Sequence, residues 1–224
     1  MLTFHRAGET LAAEPVSTIV AGWTGRDAAA VQHHIDELAA IGVAPPSAVP
    51  LYYRVATGLL TQADRIEVVG DDTSGEAEPV LIESEAGLLL TLGSDHTDRA
   101  LETHSVALSK QACAKPIAGE AWAFDEVADR LDELLLRSWI ARDGKDWERY
   151  QDGSLAQMRA LPSLLDGARE AADATGPLAM LCGTVPTLSG AIVPSLGFRC
   201  ALVDPRRDRT ITLEYRIRVL PHVA

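Results

Sequence analysis

The segment EPVLIESEAGLLLTLG, from Glu78 to Gly93, constrains the fold of this chain more than any other stretch. Two apolar runs flank a polar turn around Glu85–Gly87, and this pattern is typical of two antiparallel strands joined in a hairpin. Other β-branched runs, such as Val16–Trp23 and the C-terminal TITLEYRIRVL, predict further strands separated by Pro, Gly and Asp turns. The sequence therefore predicts an α+β fold in which strands dominate and a few helices lie outside.

Helical spacing of apolar residues recurs at four places in the chain. The segment Arg26–Gly42 is predicted to be a helix that Asp27 caps and Gly42 ends. Three more helices are predicted over DRALETHSVALSK, from Asp125 onwards in FDEVADRLDELLLRSWIAR, and over LAQMRALPSLLDGAREAAD with a break near Pro162. The end of the third is expected to turn into a strand that leads to a turn at Asp143–Gly144.

Charge and composition narrow the class of partner. The formal net charge is −12, and such a surface repels nucleic acid and anionic membranes, so neither is an expected partner. The sequence has no apolar run of the ~18 residues that a membrane span needs, and its first residues lack a signal-peptide pattern. Three scattered cysteines, Cys113, Cys182 and Cys200, are expected to be reduced thiols, which predicts a cytoplasmic location.

Three carboxylates are candidate metal ligands. Glu76 and Glu78 stand two residues apart on a predicted strand, so both point to one face, and Asp95 follows the apolar strand LLLTLG. An all-oxygen set of this kind suits Mg²⁺, with Mn²⁺ or Ca²⁺ as alternatives, and leaves positions for a chelating substrate. A solvated strand face would explain the glutamate pair equally well, and His96 with Asp98 is an alternative ligand pair on the opposite face from Asp95.

Three further elements are candidates for chemistry, although each is ordinary by itself. His34 and Glu37 are spaced i, i+3 on one helical face, where a carboxylate can orient an imidazole. Lys110, with Lys115 as its rival, can stabilise a developing oxyanion. The turn at Gly183–Thr184 offers a backbone N–H and a hydroxyl to a carboxylate.

The order of these elements resembles the fumarylacetoacetate hydrolase superfamily. That superfamily opens with a glycine-rich segment leading to a histidine and a glutamate, then a proline and an aromatic strand, here GRDAAAVQHHIDEL and VPLYYRV. Its next motifs are E-x-E, D-x-[ST]-x-R, L-x-K and a GTP-type turn, matched by Glu76–Glu78, Asp95–Arg99, Leu108–Lys110 and Gly183–Pro186. The segments GSDHTDR and CGT look most like an uncharacterised branch, a domain of unknown function.

The resemblance implies a fold, an assembly and a division of roles. It implies a single domain over residues 1–224, with an N-terminal strand and lid helix at about 16–42 and a catalytic mixed β roll at about 50–224, assembled as a homodimer. Glu76, Glu78 and Asp95 would hold the metal, His34 oriented by Glu37 would activate water or move a proton, and Lys110 would stabilise the oxyanion. The candidate substrate contacts are Thr184, Gly183, Arg99 and Tyr52, with Arg99 expected to be mainly structural.

The implied activity is that of a metal-dependent hydrolase acting on a small oxo-acid or dicarbonyl, by C–C bond hydrolysis through a metal-bound enolate. Alternatives on the same scaffold are a decarboxylase, dehydratase or tautomerase of a 2-oxo acid, a hydrolase of a cyclic amide or lactone, and a non-catalytic ligand-binding protein. The chain departs from the family before the lid histidine, where DAAAVQ stands, and after the lysine, where QACAKPIAGEAW stands. The substrate therefore does not transfer from the resemblance.

Overall fold

Strands make up most of the regular structure. The structure is a computed structural model, and it describes residues 1–40 and 45–223. In this part of the chain the strands are β1 (Leu2–Arg6), β2 (Glu9–Ala13), β3 (Ser17–Gly22), β4 (Leu51–Val55), β5 (Leu60–Thr61), β6 (Arg65–Val69), β7 (Thr73–Ser74), β8 (Ala77–Ser84), β9 (Gly87–Ser94), β10 (Thr97–Asp98), β11 (Lys115–Pro116), β12 (Trp122–Ala123), β13 (Leu135–Ala141), β14 (Glu148–Ser154), β15 (Leu178–Leu181), β16 (Gly197–Asp204) and β17 (Arg209–Leu220). The helices are α1 (Ala28–Ala40), α2 (Arg99–Glu102), α3 (Val106–Gln111) and α4 (Leu161–Ala171).

Two large mixed sheets organise these strands. The six-stranded sheet has the order β12-β9-β8-β15-β3-β4, and the five-stranded sheet has the order β14-β13-β16-β17-β6. The pairs β15–β3 and β17–β6 are parallel, whereas the other pairs in these two sheets are antiparallel. Three two-stranded ladders, β1–β2, β5–β11 and β7–β10, lie around them. The predicted strand-dominated α+β fold is confirmed.

The hairpin predicted around Glu85–Gly87 is the β8–β9 pair. Its register runs from Ser84 opposite Gly87 at the turn to Ala77 opposite Ser94 at the open end. Both strands are buried over most of their length because each face of the sheet is covered. One face packs against the five-stranded sheet and α4, and the other carries a smaller core with the β1–β2 ladder.

The helices agree with the sequence prediction in part. Asp27 caps α1 as predicted, because its Oδ1 accepts hydrogen bonds from Ala29 N (2.9 Å) and Ala30 N (3.2 Å). The predicted end of this helix at Gly42 lies outside the described residues. The single helix predicted over Asp98–Lys110 is two short ones, α2 and α3, because Ser105 starts a new N-cap after α2 has ended.

The helix predicted from Asp125 is wrong. Two single 3-10 turns, Phe124–Glu126 and Leu131–Glu133, stand in its place and lead directly into β13. The apolar spacing of this segment fits a helix locally, but strand pairing with β14 and β16 over LLRSWIA overrides that preference. The fourth helix begins only at Leu161, with Pro162 in its first turn, where a missing N–H costs nothing.

All three cysteines are buried and unbonded to one another. None of the helices in the described ranges combines the length and the hydropathy that crossing a membrane requires.

Candidate metal centre

The three candidate ligands converge at the open end of the β8–β9 hairpin. One carboxylate oxygen from each of Glu76, Glu78 and Asp95 lies within 4.8 Å of the other two. The hairpin pairing continues past the strand ends, because Asp95 N donates to Glu76 O at 3.0 Å. Glu76 just before β8, Glu78 near the start of β8 and Asp95 just after β9 are thereby brought to the same place. Glu78 and Asp95 are buried, and Glu76 is half-buried.

Glu78 is held by the turn that follows β15. Gly183 N donates to Glu78 Oε2 at 2.7 Å, although the two residues are far apart in the chain. Burial, and next the negative charge of Asp95, raise the pKa of Glu78 well above its usual range. The cluster is therefore one in which negative charge is crowded and poorly solvated.

Two lysines neutralise Asp95 from different elements. Lys110 Nζ, from α3, forms a short ion pair with Asp95 Oδ2. Lys115 Nζ, from β11, lies 3.1 Å from Asp95 Oδ1 and donates to His96 O at 2.6 Å. Both ammonium groups are buried. Both lysines thus reach the same carboxylate, and which of Lys110 and Lys115 is the active lysine stays a prediction.

The electrostatic effects on these groups differ in direction. Burial opposes the charge of Asp95, but Lys110 and Lys115 outweigh it and hold the pKa of Asp95 below its usual range. Burial also opposes the charge of Lys110, but Asp95, Glu76 and Glu78 outweigh it and raise the pKa of Lys110. Burial dominates at Lys115 and lowers its pKa.

Arg99 is a structural partner of the glutamates in this arrangement. Its Nη2 lies 3.2 Å from Glu76 Oε2, its Nη1 donates to Glu102 at 2.8 Å, and its Nε donates to Ser74 at 2.7 Å. Nε and Nη1 each donate a hydrogen bond, whereas Nη2 contacts Glu76 without a hydrogen bond of good geometry in the described part of the chain. The mainly structural role expected for Arg99 stays a prediction.

The residues present fit a hard divalent cation. Asp95 Oδ1 is buried and accepts no hydrogen bond of good geometry from the described residues. Its ion-pair contact with Lys115 at 3.1 Å leaves this oxygen able to accept a cation, which would also relieve the repulsion among the carboxylates. Carboxylate oxygens are the ligands that Mg²⁺, Mn²⁺ and Ca²⁺ prefer.

The side chains of the alternative ligand pair, His96 and Asp98, are hydrogen-bonded within the protein. Both ring nitrogens of His96 lie 2.9 Å from hydroxyl groups, Nδ1 from Tyr215 and Nε2 from Thr73. Burial, followed by the charge of Lys115, lowers the pKa of His96 to about 3, so this ring is neutral. Asp98 caps α2 by accepting from Leu101 N at 2.9 Å.

The donors of the Gly183–Thr184 turn are used within the protein. Gly183 N donates to Glu78, and the Thr184 hydroxyl donates to Ala77 O at 2.6 Å. The turn therefore supports the strand segment that carries Glu76 and Glu78. Contact of these two residues with a substrate stays a prediction.

The structure places Tyr52 and Tyr53 on opposite faces of β4. Tyr52 packs against α4 at Gly167, whereas the ring of Tyr53 lies 5.6 Å from Lys110 Nζ and its hydroxyl accepts from Trp23 Nε1 at 3.3 Å. Tyr53 therefore lies beside Lys110, and contact of Tyr52 with a substrate stays a prediction. The sequence YY gave no signal for the choice, because the phase of the strand is set by its pairing with β3.

His34 and Glu37 lie in α1, as predicted. Their side chains are outside the described part of the structure. Their predicted roles therefore stay predictions.

Comparison with solved structures confirms the predicted fold type, a mixed β roll of the fumarylacetoacetate hydrolase kind. A structure of Cg1458 matches with a TM-score of 0.66 at 13% identity, over 94% of this chain and 78% of that one. A structure of 2-keto-3-deoxyarabinonate dehydratase matches with a TM-score of 0.65 at 16% identity, over 94% and 76% of the two chains. The same dehydratase complexed with magnesium and 2,5-dioxopentanoate matches with a TM-score of 0.60 at 14% identity, over 92% and 74%.

The fold and the acidic centre together define the class, a strand-rich α+β protein with a carboxylate cluster at a hairpin end. Residues 21–215 match the family described as protein of unknown function DUF2848. The chain belongs to this family. No curated protein matches the sequence.

Replacing Gly183 with alanine should disrupt the centre. Gly183 has a φ of +91°, and a Cβ there would overlap Thr24 Oγ1, so Gly183→Ala must move the turn that holds Glu78. Gly190→Ala is a matched control, because Gly190 has a φ of +72° but open space around it. We expect Gly190→Ala to lower the free energy of unfolding by about 1 kcal/mol, because only its positive φ disfavours alanine. Gly183→Ala should lower it more, as measured by urea denaturation. It should also weaken Mn²⁺ binding, as measured by calorimetry. If the two variants lost equal stability and equal Mn²⁺ affinity, the proposed role of the Gly183 turn would be contradicted.

Metal affinity should rise with pH. Because burial and the charge of Asp95 raise the pKa of Glu78, an incoming cation must displace a proton from that carboxyl. We expect Mn²⁺ binding to tighten as the pH rises above the usual pKa range of a glutamate, with release of a proton, as measured by titration calorimetry in buffers of different ionisation enthalpy. Glu78→Gln should bind more weakly and without that proton; affinity that falls as pH rises would refute the assignment.

Proposed function

We propose that this chain is a divalent-cation-dependent enzyme of the fumarylacetoacetate hydrolase superfamily that acts on a small oxo-acid or dicarbonyl. The observation that carries the proposal is the convergence of three carboxylates within 4.8 Å, beside two buried lysines. A purely structural ion would be served by the carboxylates without any buried ammonium. This juxtaposition favours an enzyme over a ligand-binding protein that has kept only the fold.

Glu76, Glu78 and Asp95 would hold the cation. A bound Mg²⁺ supplies Lewis-acid chemistry, which polarises a substrate keto oxygen. Lys110 is the chain's own contribution at that oxygen, since the raised pKa of Lys110 keeps it charged and Asp95 fixes its ammonium beside the cluster. A fixed positive charge in a site of low polarity stabilises negative charge as it develops on the substrate.

The charge balance favours an acidic substrate. When fully ionised, the connected group comprises the carboxylates of Glu76, Glu78, Asp95 and Glu102 against the cations Arg99, Lys110 and Lys115. This group is negative by one charge, and one divalent cation would make it positive by one. A monoanion such as a 2-oxo acid would then restore neutrality.

The helix α1 is the proposed lid. Among its described side chains Ile35 is buried and Val31 half-buried, whereas the others are exposed. Few apolar contacts of these residues therefore attach the helix to the rest of the protein. Closure of such an element excludes water and completes a site. We assign proton transfer or water activation to His34 and its orientation to Glu37.

The reaction that we propose first is C–C bond hydrolysis, and the second candidate is dehydration of a 2-oxo acid. Both begin when a neighbouring group draws negative charge onto the keto oxygen, so Lys110 can serve either. The likeness to a dehydratase complexed with magnesium and 2,5-dioxopentanoate supports the second candidate. The predicted homodimer and cytoplasmic location remain part of the proposal.

A substrate panel with magnesium tests the function. Purified protein should convert at least one of a set of 2-oxo acids, 3-deoxy-2-oxo sugar acids and acylpyruvates, followed by NMR of the products, and EDTA should stop the reaction. Asp95→Asn should abolish turnover, whereas Asp166→Asn, whose carboxylate is 74% exposed on α4, should not. Turnover that survives both EDTA and Asp95→Asn would overturn the metal-dependent function.

The lid assignment has its own test. We expect His34→Ala to lower turnover by about 10²-fold or more, because general acid–base groups contribute that much, while Mn²⁺ affinity by calorimetry stays unchanged. His33→Ala on the same helix is the matched control and should retain turnover. Loss of metal binding in His34→Ala would count against its role as a lid residue.

A further inference from the structure

We infer that Gln151 is a positioning residue for the metal centre, an assignment that rests on the proposed function. Gln151 lies on β14 in the five-stranded sheet and is fully buried. Its side chain nevertheless reaches the start of β8 in the six-stranded sheet. It therefore joins the two sheets at the point where the E-x-E segment begins.

Every hydrogen-bonding position of the Gln151 carboxamide is occupied. The oxygen accepts from Ala77 N at 3.1 Å and from the Ser138 hydroxyl at 2.7 Å. The nitrogen donates to the Thr184 hydroxyl at 2.7 Å and to Val185 O at 2.6 Å. Two acceptor and two donor positions are the whole capacity of a carboxamide, so its orientation is fixed.

These bonds bear on both glutamates through Ala77, the residue between them. Gln151 holds the N–H of Ala77, and Thr184, itself held by Gln151, donates to the carbonyl of Ala77. The peptide groups on both sides of Ala77 are thereby fixed, and with them the directions in which Glu76 and Glu78 leave the backbone.

The Gln151 side chain also supports Glu78 through the turn that follows β15. Thr184 and Val185 follow Gly183, whose N–H donates to Glu78. By anchoring Thr184 and Val185, Gln151 holds the turn that orients this carboxylate.

The test compares Mn²⁺ binding in Gln151→Met with that in Ser138→Ala. Methionine keeps the length of the side chain but makes none of the four hydrogen bonds, whereas Ser138→Ala removes only one, which involves neither Ala77 nor the turn at Gly183–Val185. Both variants should unfold at lower temperature. We expect only Gln151→Met to weaken Mn²⁺ binding, by about 10–100-fold as for other partners that orient ligands, and to alter the Mn²⁺ EPR spectrum.

Thr184→Val supplies a second route if Gln151→Met does not fold. It should weaken Mn²⁺ binding too, and in the double variant the two losses should not add, because both act through Ala77. The role of Gln151 would be overturned if folded Gln151→Met or Thr184→Val bound Mn²⁺ with wild-type affinity. It would also be overturned if Ser138→Ala lost as much Mn²⁺ affinity as Gln151→Met. Either result would leave the metal centre itself in place. Failure of the wild-type protein to bind Mn²⁺ would overturn the metal centre and this inference with it.

Discussion

The repulsion among Glu76, Glu78 and Asp95 is the constraint on which this structure depends. Three carboxylates that lie within 4.8 Å of one another, two of them buried, would drive the hairpin end apart unless positive charge were supplied. The fold supplies it from three separate elements, namely Arg99 at the start of α2, Lys110 on α3 and Lys115 on β11. The residues that follow β9 thus place three positively charged side chains around the acidic cluster.

The apolar part of the molecule serves this centre by making its surroundings rigid. Because both faces of the six-stranded sheet are covered, β8 and β15 are buried and cannot shift their register without exposing a core. The turn after β15 then has a fixed place, and Gly183 can approach Glu78 closely where a side chain would collide with Thr24. The polar contacts of Gln151 extend the same support across to the second sheet.

Much of this was accessible from the sequence, and the failures have physical causes. The hairpin, the convergent carboxylates and the Asp27 cap follow from local patterns and short spacings. The helix expected from Asp125 failed because strand pairing outweighed an apolar period that suits either structure. The position of Tyr53 beside Lys110 depends on the phase of β4, and the approach of Lys115 to Asp95 depends on where β11 pairs; the linear spacing encodes neither.

The order of strands in the six-stranded sheet also dictates when the centre can form. β15, which comes late in the chain, lies between β8 and β3 and pairs with both. The position between β3 and β8 therefore stays unfilled until residues 178–181 have been synthesised. Contacts between residues so distant in sequence form slowly. During synthesis, a nascent chain that ended before β15 would carry all three acidic residues and both lysines, yet would lack the turn after β15 that holds Glu78.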